Sequence, residues 1–448
     1  MNKRDFLKTT GAFLASSLLP SIGSAQAATQ HRTNWAGNYT FHTDNLLQPK
    51  TVEDVQKAVT SCNKLRALGS RHSFNGIADS TQNQISLKAL DTMKVDKDAR
   101  TVTVGAGVTY GQLCPWLDAQ GYALHNLASL PHISVAGACA TGTHGSGPRN
   151  GNLSTSVAGL ELVTADGKII TLSREKDGDR FLGCVVNLGG LGIMTSVTLN
   201  VEPTFQMRQV VYENLSMDQL EHNMDAIFAS GYSTSLFTDW QNHRITQVWI
   251  KSRVQPGDPA TLPPQFFGAT LQTQKLHPVA GHSAESCTEQ FGMPGPWYER
   301  MPHFKMNFTP SSGQEIQSEY FVPREHGYQA MLAVEQLRDH ITPHLYITEL
   351  RTVAADELWM SEAYKRDSMT IHFTFKPETD AVNQVLPLIE AKLARFDARP
   401  HWAKVFPMAP SRLQSLYTQL PAFRQLLQQH DPGGKFRNEY LDRNIFTA

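Results

Sequence analysis

Residues 126 to 147 read Asn126-Leu127-Ala128-Ser129-Leu130-Pro131-His132-Ile133-Ser134-Val135-Ala136-Gly137-Ala138-Cys139-Ala140-Thr141-Gly142-Thr143-His144-Gly145-Ser146-Gly147. So dense a run of Gly, Ala, Ser and Thr lets backbone N–H groups come close to a ligand such as a pyrophosphate. Tight packing of a helix on a strand explains the same composition, and on these residues alone both stay open. The flanks add a frame. Upstream, Thr51 opens a capping box with Asp54, and Val52, Val55 and Val59 share a helical face, which predicts a helix over 52–62. A strand over 65–68 runs into Gly69-Ser70-Arg71-His72-Ser73-Phe74-Asn75, followed by strands over 85–87 and 102–104 and a helix over 110–119. Downstream, apolar residues alternate on both sides of Asp166-Gly167, which predicts a hairpin over 157–173. A Gly-rich turn from Leu188 leads into an alternating strand over 193–201, and Pro203 marks a domain edge.

Beyond Pro203 the chain is richer in aromatic residues and in alternation. Period-2 geometry puts Ile371, Phe373 and Phe375 on a buried face and Thr370, His372 and Thr374 on the other. Ile347, Glu349, Arg351 and Val353 share a strand face in the same way, so an acid and a guanidinium stand side by side. Gln317 with Glu319, and Trp402 with Lys404, read as further pairs of this kind.

Several function classes fall away. The 448 residues carry 40 Lys plus Arg against 41 Asp plus Glu, so no basic excess exists to hold a nucleic acid. A content of 40% hydrophobic and 18% charged residues excludes a disordered, collagen-like or coiled-coil chain. Gly105-Ala106-Gly107 after a strand lacks the nicotinamide fingerprint, since Gly111 comes one residue late and no acid lies about 20 positions on. There is no Gly-Lys-Ser/Thr loop and no His-Glu-x-x-His, and neither the histidines nor Cys62, Cys114, Cys139, Cys184 and Cys287 have metal-ligand spacing. No metal is expected, and the cysteines read as buried free thiols, with one disulfide left open.

At the N-terminus, Lys3-Arg4-Asp5-Phe6-Leu7-Lys8, the mostly apolar stretch from Gly11 to Ile22 and Ser24-Ala25-Gln26-Ala27 have the three-part layout of an export signal over 1–27. The apolar run is too short to span a bilayer, so no stable membrane insertion is expected. The signal resembles a twin-arginine one with Lys3 in place of the first arginine, which leaves the general secretory route open. The expected destination is the periplasm or outside.

Gly69-Ser70-Arg71-His72-Ser73, joined with the Ala-Thr-Gly-Thr-His-Gly stretch from Ala140, resembles the FAD-binding half of the vanillyl-alcohol oxidase superfamily of covalent flavoproteins. Within it, Asn34-Trp35-Ala36-Gly37-Asn38, Ala128-Ser129-Leu130-Pro131-His132-Ile133-Ser134, Cys287-Thr288-Glu289-Gln290-Phe291-Gly292, Glu349-Leu350-Arg351-Thr352-Val353-Ala354 and Arg399-Pro400-His401-Trp402-Ala403-Lys404-Val405-Phe406 are similar to bacterial alditol (xylitol) oxidases.

The resemblance implies an α+β, two-domain fold: an FAD-binding PCMH-type domain over 34–203, a substrate domain with a large antiparallel sheet over 204–395, and a last segment over 396–448 packing across both. It implies FAD joined through His72 to the flavin 8-methyl carbon. Ala67, Leu68, Gly69, Ser70, Arg71, His72 and Ser73 would cradle pyrophosphate and ring, with Ser129, Ser134, Gly137, Thr141, Gly142, Thr143, His144 and Ile193. Arg71 stands where many relatives have glycine, which can adopt positive φ as arginine rarely does. Ser129, Gln317, Glu349, Arg351, His372, Thr374 and Lys404 match the substrate site. Such groups can satisfy a row of hydroxyls in a dry cavity. Glu349 would accept from one hydroxyl, and Arg351 and Lys404 would hold the terminal C1 hydroxyl with its carbon aimed at flavin N5 for hydride transfer. His372 or Lys404 would take the hydroxyl proton. The implied reaction is alditol + O₂ → aldose + H₂O₂, with a small polyol and O₂ as partners and a monomer as the expected state. An aldonolactone oxidase or dehydrogenase of the same superfamily is the nearest alternative, and a non-catalytic periplasmic polyol-binding protein a distant one.

Overall fold

Helix α1, Val52–Ser61, begins where Thr51 accepts the Asp54 N–H, and it buries Val55 and Val59 completely. A two-way capping box stands at Thr109 and Gln112, where α2, Tyr110–Ala119, starts. The computed structural model describes residues 31–447 except 256, 258–261 and 309–312, so the export signal expected over 1–27 lies outside the described residues. The predicted hairpin forms as β3, Val157–Val163, and β4, Ile169–Ser173, with Gly167 at φ +81 in the turn. With β1, Met93–Asp96, β2, Thr101–Gly105, and β5, Ile193–Asn200, they make an antiparallel sheet in the order β1-β2-β5-β3-β4. α1, α2 and α3, Val135–Ala140, share one apolar core with this sheet.

A ten-stranded sheet carries the second half. Its centre runs β6-β8-β7-β10-β11-β9, antiparallel throughout: β6 is Gln206–Ser216, β7 Ser233–Thr238, β8 Arg244–Arg253, β9 Ile316–Pro323, β10 Leu345–Val353 and β11 Ser368–Phe375. Ile371, Phe373 and Phe375 of β11 face α4, Gln219–Phe228, α5, Gly327–Glu335, and α6, Thr379–Leu393, in a second core. Each such side chain contributes about 1.5–3 kcal/mol on burial. The opposite face turns toward the first half of the chain and carries polar residues in register: Glu319 opposite His372, and His372 opposite Glu349.

The last segment touches both bodies. Arg399–Pro400 pairs with the outer edge of β9, while Phe423, Leu426 and Leu427 of α7, Leu420–His430, enter the first core. The strand face read from Trp402 and Lys404 does not form. Both stand on a turn closed by the Lys404 N–H on the His401 carbonyl. The Trp402 N–H is held by Glu362, so the indole packs on Tyr417 in the first core while the Lys404 side-chain nitrogen reaches the large sheet. All five cysteines are buried free thiols. Among the described residues no helix is long and apolar enough to cross a membrane.

Candidate active site

A cavity of about 850 Å³ runs between the two halves of the chain, toward the upper end of the usual range for small-molecule sites. One end is backbone. The loop from Ala67 to Ser73 lines it, and Arg66, buried just before that loop, fixes its base by donating to the carbonyls of Ile77, Leu188, Gly189 and Phe436. Arg71 sits at φ +63, so the left-handed position survives without a glycine. Its cost of roughly 1–2 kcal/mol is set against two contacts, the Trp35 N–H on the Arg71 carbonyl and the Arg71 guanidinium on the Thr33 carbonyl.

The small-residue stretch serves both purposes left open above. Ser129, Ser134, Gly137, Thr141, Thr143 and His144 line the cavity. Gly142 and Gly145 are packing glycines: a Cβ on Gly142 would stand 2.2 Å from the Glu362 carboxylate, and one on Gly145 would stand 2.4 Å from Asn126. Gly142 and Ile193 therefore do not line the cavity. Ile193 is fully buried in the first core, and its neighbours Gly192 and Met194 reach the wall instead.

His72 stands on the wall beside Trp35, ring centroids 4.6 Å apart, with its Nδ1 3.2 Å from His132 Nε2. Burial, then the neighbouring His132 and Lys404, push its pKa well below the usual imidazole value, so His72 is neutral and nucleophilic in character.

The other end of the cavity is the polar face of the large sheet, where Gln317, Arg351, His372 and Lys404 all line the wall. Their hub is Glu319, which the alternation of β9 singled out beside Gln317 but to which no role was assigned. Arg351 Nη2 donates to Glu319 Oε1 at 2.8 Å, Lys404 Nζ donates to Oε2 at 2.8 Å, and His144 Nε2 lies 3.0 Å from Oε1. Burial opposes the charge on Glu319, but Lys404, His144 and Arg351 around it hold its pKa well below the carboxylate range. His144, Glu319 and His401 converge within 4.8 Å, yet both carboxylate oxygens are already held by Arg351 and Lys404, which fill the place a metal ion would take.

Hydrogen-bond logic fixes the protons here. A guanidinium only donates, so His372 Nδ1, 3.3 Å from Arg351 Nη2, is the acceptor and the ring proton of neutral His372 is on Nε2. That N–H faces Lys404 Nζ at 3.1 Å, an arrangement that suits an amine with a lone pair and not an ammonium. Burial lowers the Lys404 pKa, and Arg351 adds to this against the opposing pull of Glu319.

Glu349 and Thr374 stand on the same sheet face but outside the cavity lining. Glu349 Oε1 accepts from His303 Nε2 at 2.8 Å, and Oε2 lies 3.7 Å from Arg351 Nε and 3.8 Å from His372 Nδ1. His132, His303 and His401 were not assigned roles from the sequence, although His132 and His401 lie inside the quoted stretches.

These residues fit a flavin dinucleotide: a long cavity with backbone and small side chains at one end, a neutral histidine on its wall, and Arg351 beside Lys404 at the other. Residues 43–173 match the family described as FAD binding domain, and residues 303–444 that described as D-arabinono-1,4-lactone oxidase. Fold and site thus define an FAD-dependent oxidoreductase acting on CH–OH donors. The chain is 45% identical over 414 residues to the alditol oxidase of Streptomyces sp. (strain IKD472 / FERM P-14339), covering 91% of this chain and 97% of that one, and it belongs to the alditol oxidase family. The L-gulonolactone oxidase of Mus musculus is more distant, 26% identical over 92% of this chain and 98% of its own. Among solved structures, cholesterol oxidase from B. sterolicum shares the fold, with a TM-score of 0.72 at 15% identity over 92% of this chain and 96% of that one.

Proposed function

We propose that the protein oxidises the terminal C1 hydroxyl of alditols such as xylitol and sorbitol to the aldose, with O₂ reduced to H₂O₂. Bound FAD supplies the two-electron acceptor that oxygen regenerates. The observation that carries the reading is the chain Arg351, His372, Lys404 and Glu319, in which the Nε2–H of His372 meets an acceptor only when Lys404 is a neutral amine. Lys404 then takes the hydroxyl proton, because the Nδ1 lone pair of His372 is occupied by Arg351. Arg351 polarises the same oxygen, Gln317 and Ser129 accept or donate along the remaining hydroxyls, and Glu349 and Thr374, just behind the lining on the same sheet face, do so where the polyol reaches past Arg351 and His372. Such a site rejects a substrate lacking one of those hydroxyls by up to about 10⁴-fold, since its own buried groups lose partners.

Covalent attachment of FAD at His72 belongs to the same proposal and is supported by the neutral ring on the cavity wall. The test takes acid-precipitated protein: yellow colour is expected to stay in the pellet, and in His72→Ala to pass into the supernatant. Anaerobic xylitol is expected to bleach the native protein, and oxygen uptake to follow on admitting air. The match over 303–444 supports an aldonolactone as the rival substrate, and bleaching by a lactone but not by xylitol would replace the reading with that one. Bleaching by xylitol without oxygen uptake would make the enzyme a dehydrogenase.

Export is proposed from residues 3–27. A periplasmic product whose mass begins at Ala28 is the expected result, and a cytoplasmic protein that keeps Met1 would overturn it.

A further inference from the structure

Behind the cavity wall lies a buried polar chain that the reaction as described does not use. Lys251, on β8 and 2% exposed, donates from Nζ to the Met301 carbonyl at 2.6 Å and lies 2.9 Å from His303 Nδ1. His303 in turn meets Glu349 through Nε2 at 2.8 Å. The imidazole is boxed edge-on by Trp249 and Phe237, at ring-centroid distances of 5.2 and 5.5 Å, so it cannot turn away from either partner. An ammonium only donates, so protonated Lys251 forces His303 Nδ1 to accept, puts the ring proton on Nε2 and aims it at Glu349 Oε1. The chain is therefore directional, from cation through neutral ring to carboxylate, and each link has the donor and acceptor it requires.

We infer that Lys251 is a positioning residue for the polyol-binding carboxylate Glu349, acting through His303. With Oε1 pinned by His303, the second oxygen, Oε2, is the one left toward Arg351, His372 and the substrate hydroxyl. A neutral amine at Lys251 both donates and accepts, so the proton on His303 Nε2 is then held by Glu349 alone and the other tautomer becomes accessible. In the other tautomer a bare Nε2 lone pair faces Glu349 Oε1, and the carboxylate must turn or take up a proton. Burial lowers Lys251 to about 7, opposed by Glu349, helped by Arg351 and slightly opposed by Cys287, the titratable groups that bear on it besides His303. Raising the pH through that value releases the tautomer lock, so polyol affinity falls as pH rises.

The inference rests on the alditol oxidase reading, and the test separates the two. Anaerobic bleaching of the holoenzyme by xylitol is followed from pH 6 to 9, giving an apparent Kd and a limiting rate at each pH. The wild type is expected to bind xylitol more weakly as pH passes through neutrality. In Lys251→Met the apparent Kd is expected to be about ten-fold higher or more at pH 6, and nearly independent of pH, while the limiting rate changes less than about three-fold. Lys251→Gln, which spans the same gap without charge, carries the same expectation if the methionine variant does not fold. A folded variant that keeps both the wild-type Kd and its pH dependence overturns the inference. So does one whose affinity and limiting rate fall together with the pH dependence retained, since that marks a general distortion of the site. Wild-type protein that xylitol does not bleach at any pH fails the alditol reading itself.

Discussion

Lys404→Met is expected to slow anaerobic bleaching of the bound flavin by xylitol by about 10²–10⁴-fold, the range that loss of a general base produces, while flavin content stays at the wild-type level. The methionine keeps the length and apolar stem of the lysine, so the turn at His401 to Lys404 and the packing of Trp402 are preserved. What goes is the nitrogen that faces His372 Nε2 and Glu319 Oε2. Two roles compete for it, and they predict different pH behaviour. As a base, Lys404 must first lose its proton, so the wild-type limiting rate rises with pH through a Lys404 value already lowered by burial, and this limb vanishes in the variant. As a fixed cation that only steadies a forming alkoxide, it would act better protonated, and the limb would descend. Lys404→Arg makes the same distinction, because a guanidinium keeps the charge and cannot accept a proton. A rate near wild type in the arginine variant would eliminate the base role.

The parts of the fold that rest on neighbours in sequence are readable there. Helix α2 runs over the predicted residues because Thr109 and Gln112 satisfy each other within one turn, and the hairpin closes at Asp166-Gly167 because the turn itself demands it. Half of the site is legible for the same reason: period 2 puts His372 with Thr374, and Glu349 with Arg351, on one face before any tertiary contact is known. The pairings across strands are not. Glu319 looks like one more acid in β9 until the register sets it against His372 and the turn after His401 delivers Lys404 to it. Lys251 and His303 lie 52 residues apart, one in an alternating strand with two arginines and one in an irregular segment, and no local pattern joins them. Trp402 and Lys404 failed in the opposite sense. They read as a strand, but the Glu362 carboxylate on the Trp402 N–H settled the backbone as a turn.

Glu319→Gln is expected to cost about 3–5 kcal/mol of stability at pH 7, read from the urea unfolding midpoint, and to cut xylitol-driven bleaching with it. The amide is nearly the same shape, so the loss comes from charge. Arg351, whose pKa burial lowers but Glu349 and Glu319 raise above its usual value, would share its remaining carboxylate with His303, and an amide nitrogen would confront Arg351 or Lys404 where an oxygen now accepts. The pH dependence gives the sign. A carboxylate whose folded pKa is depressed contributes stability above its unfolded pKa of about 4.3, and that contribution is lost as pH falls toward the folded value. The gap between wild type and variant should therefore be widest near neutrality and close in acid. Glu362→Gln supplies the contrast within the same cluster. That carboxyl is also fully buried and near His401, but burial pushes its pKa well above the usual value, toward the neutral acid, while it accepts the Trp402 N–H. An amide can keep that bond, and a cost below about 1 kcal/mol is expected. Equal losses in the two variants would mean that buried volume, and not the ion cluster on Glu319, holds this end of the cavity in place.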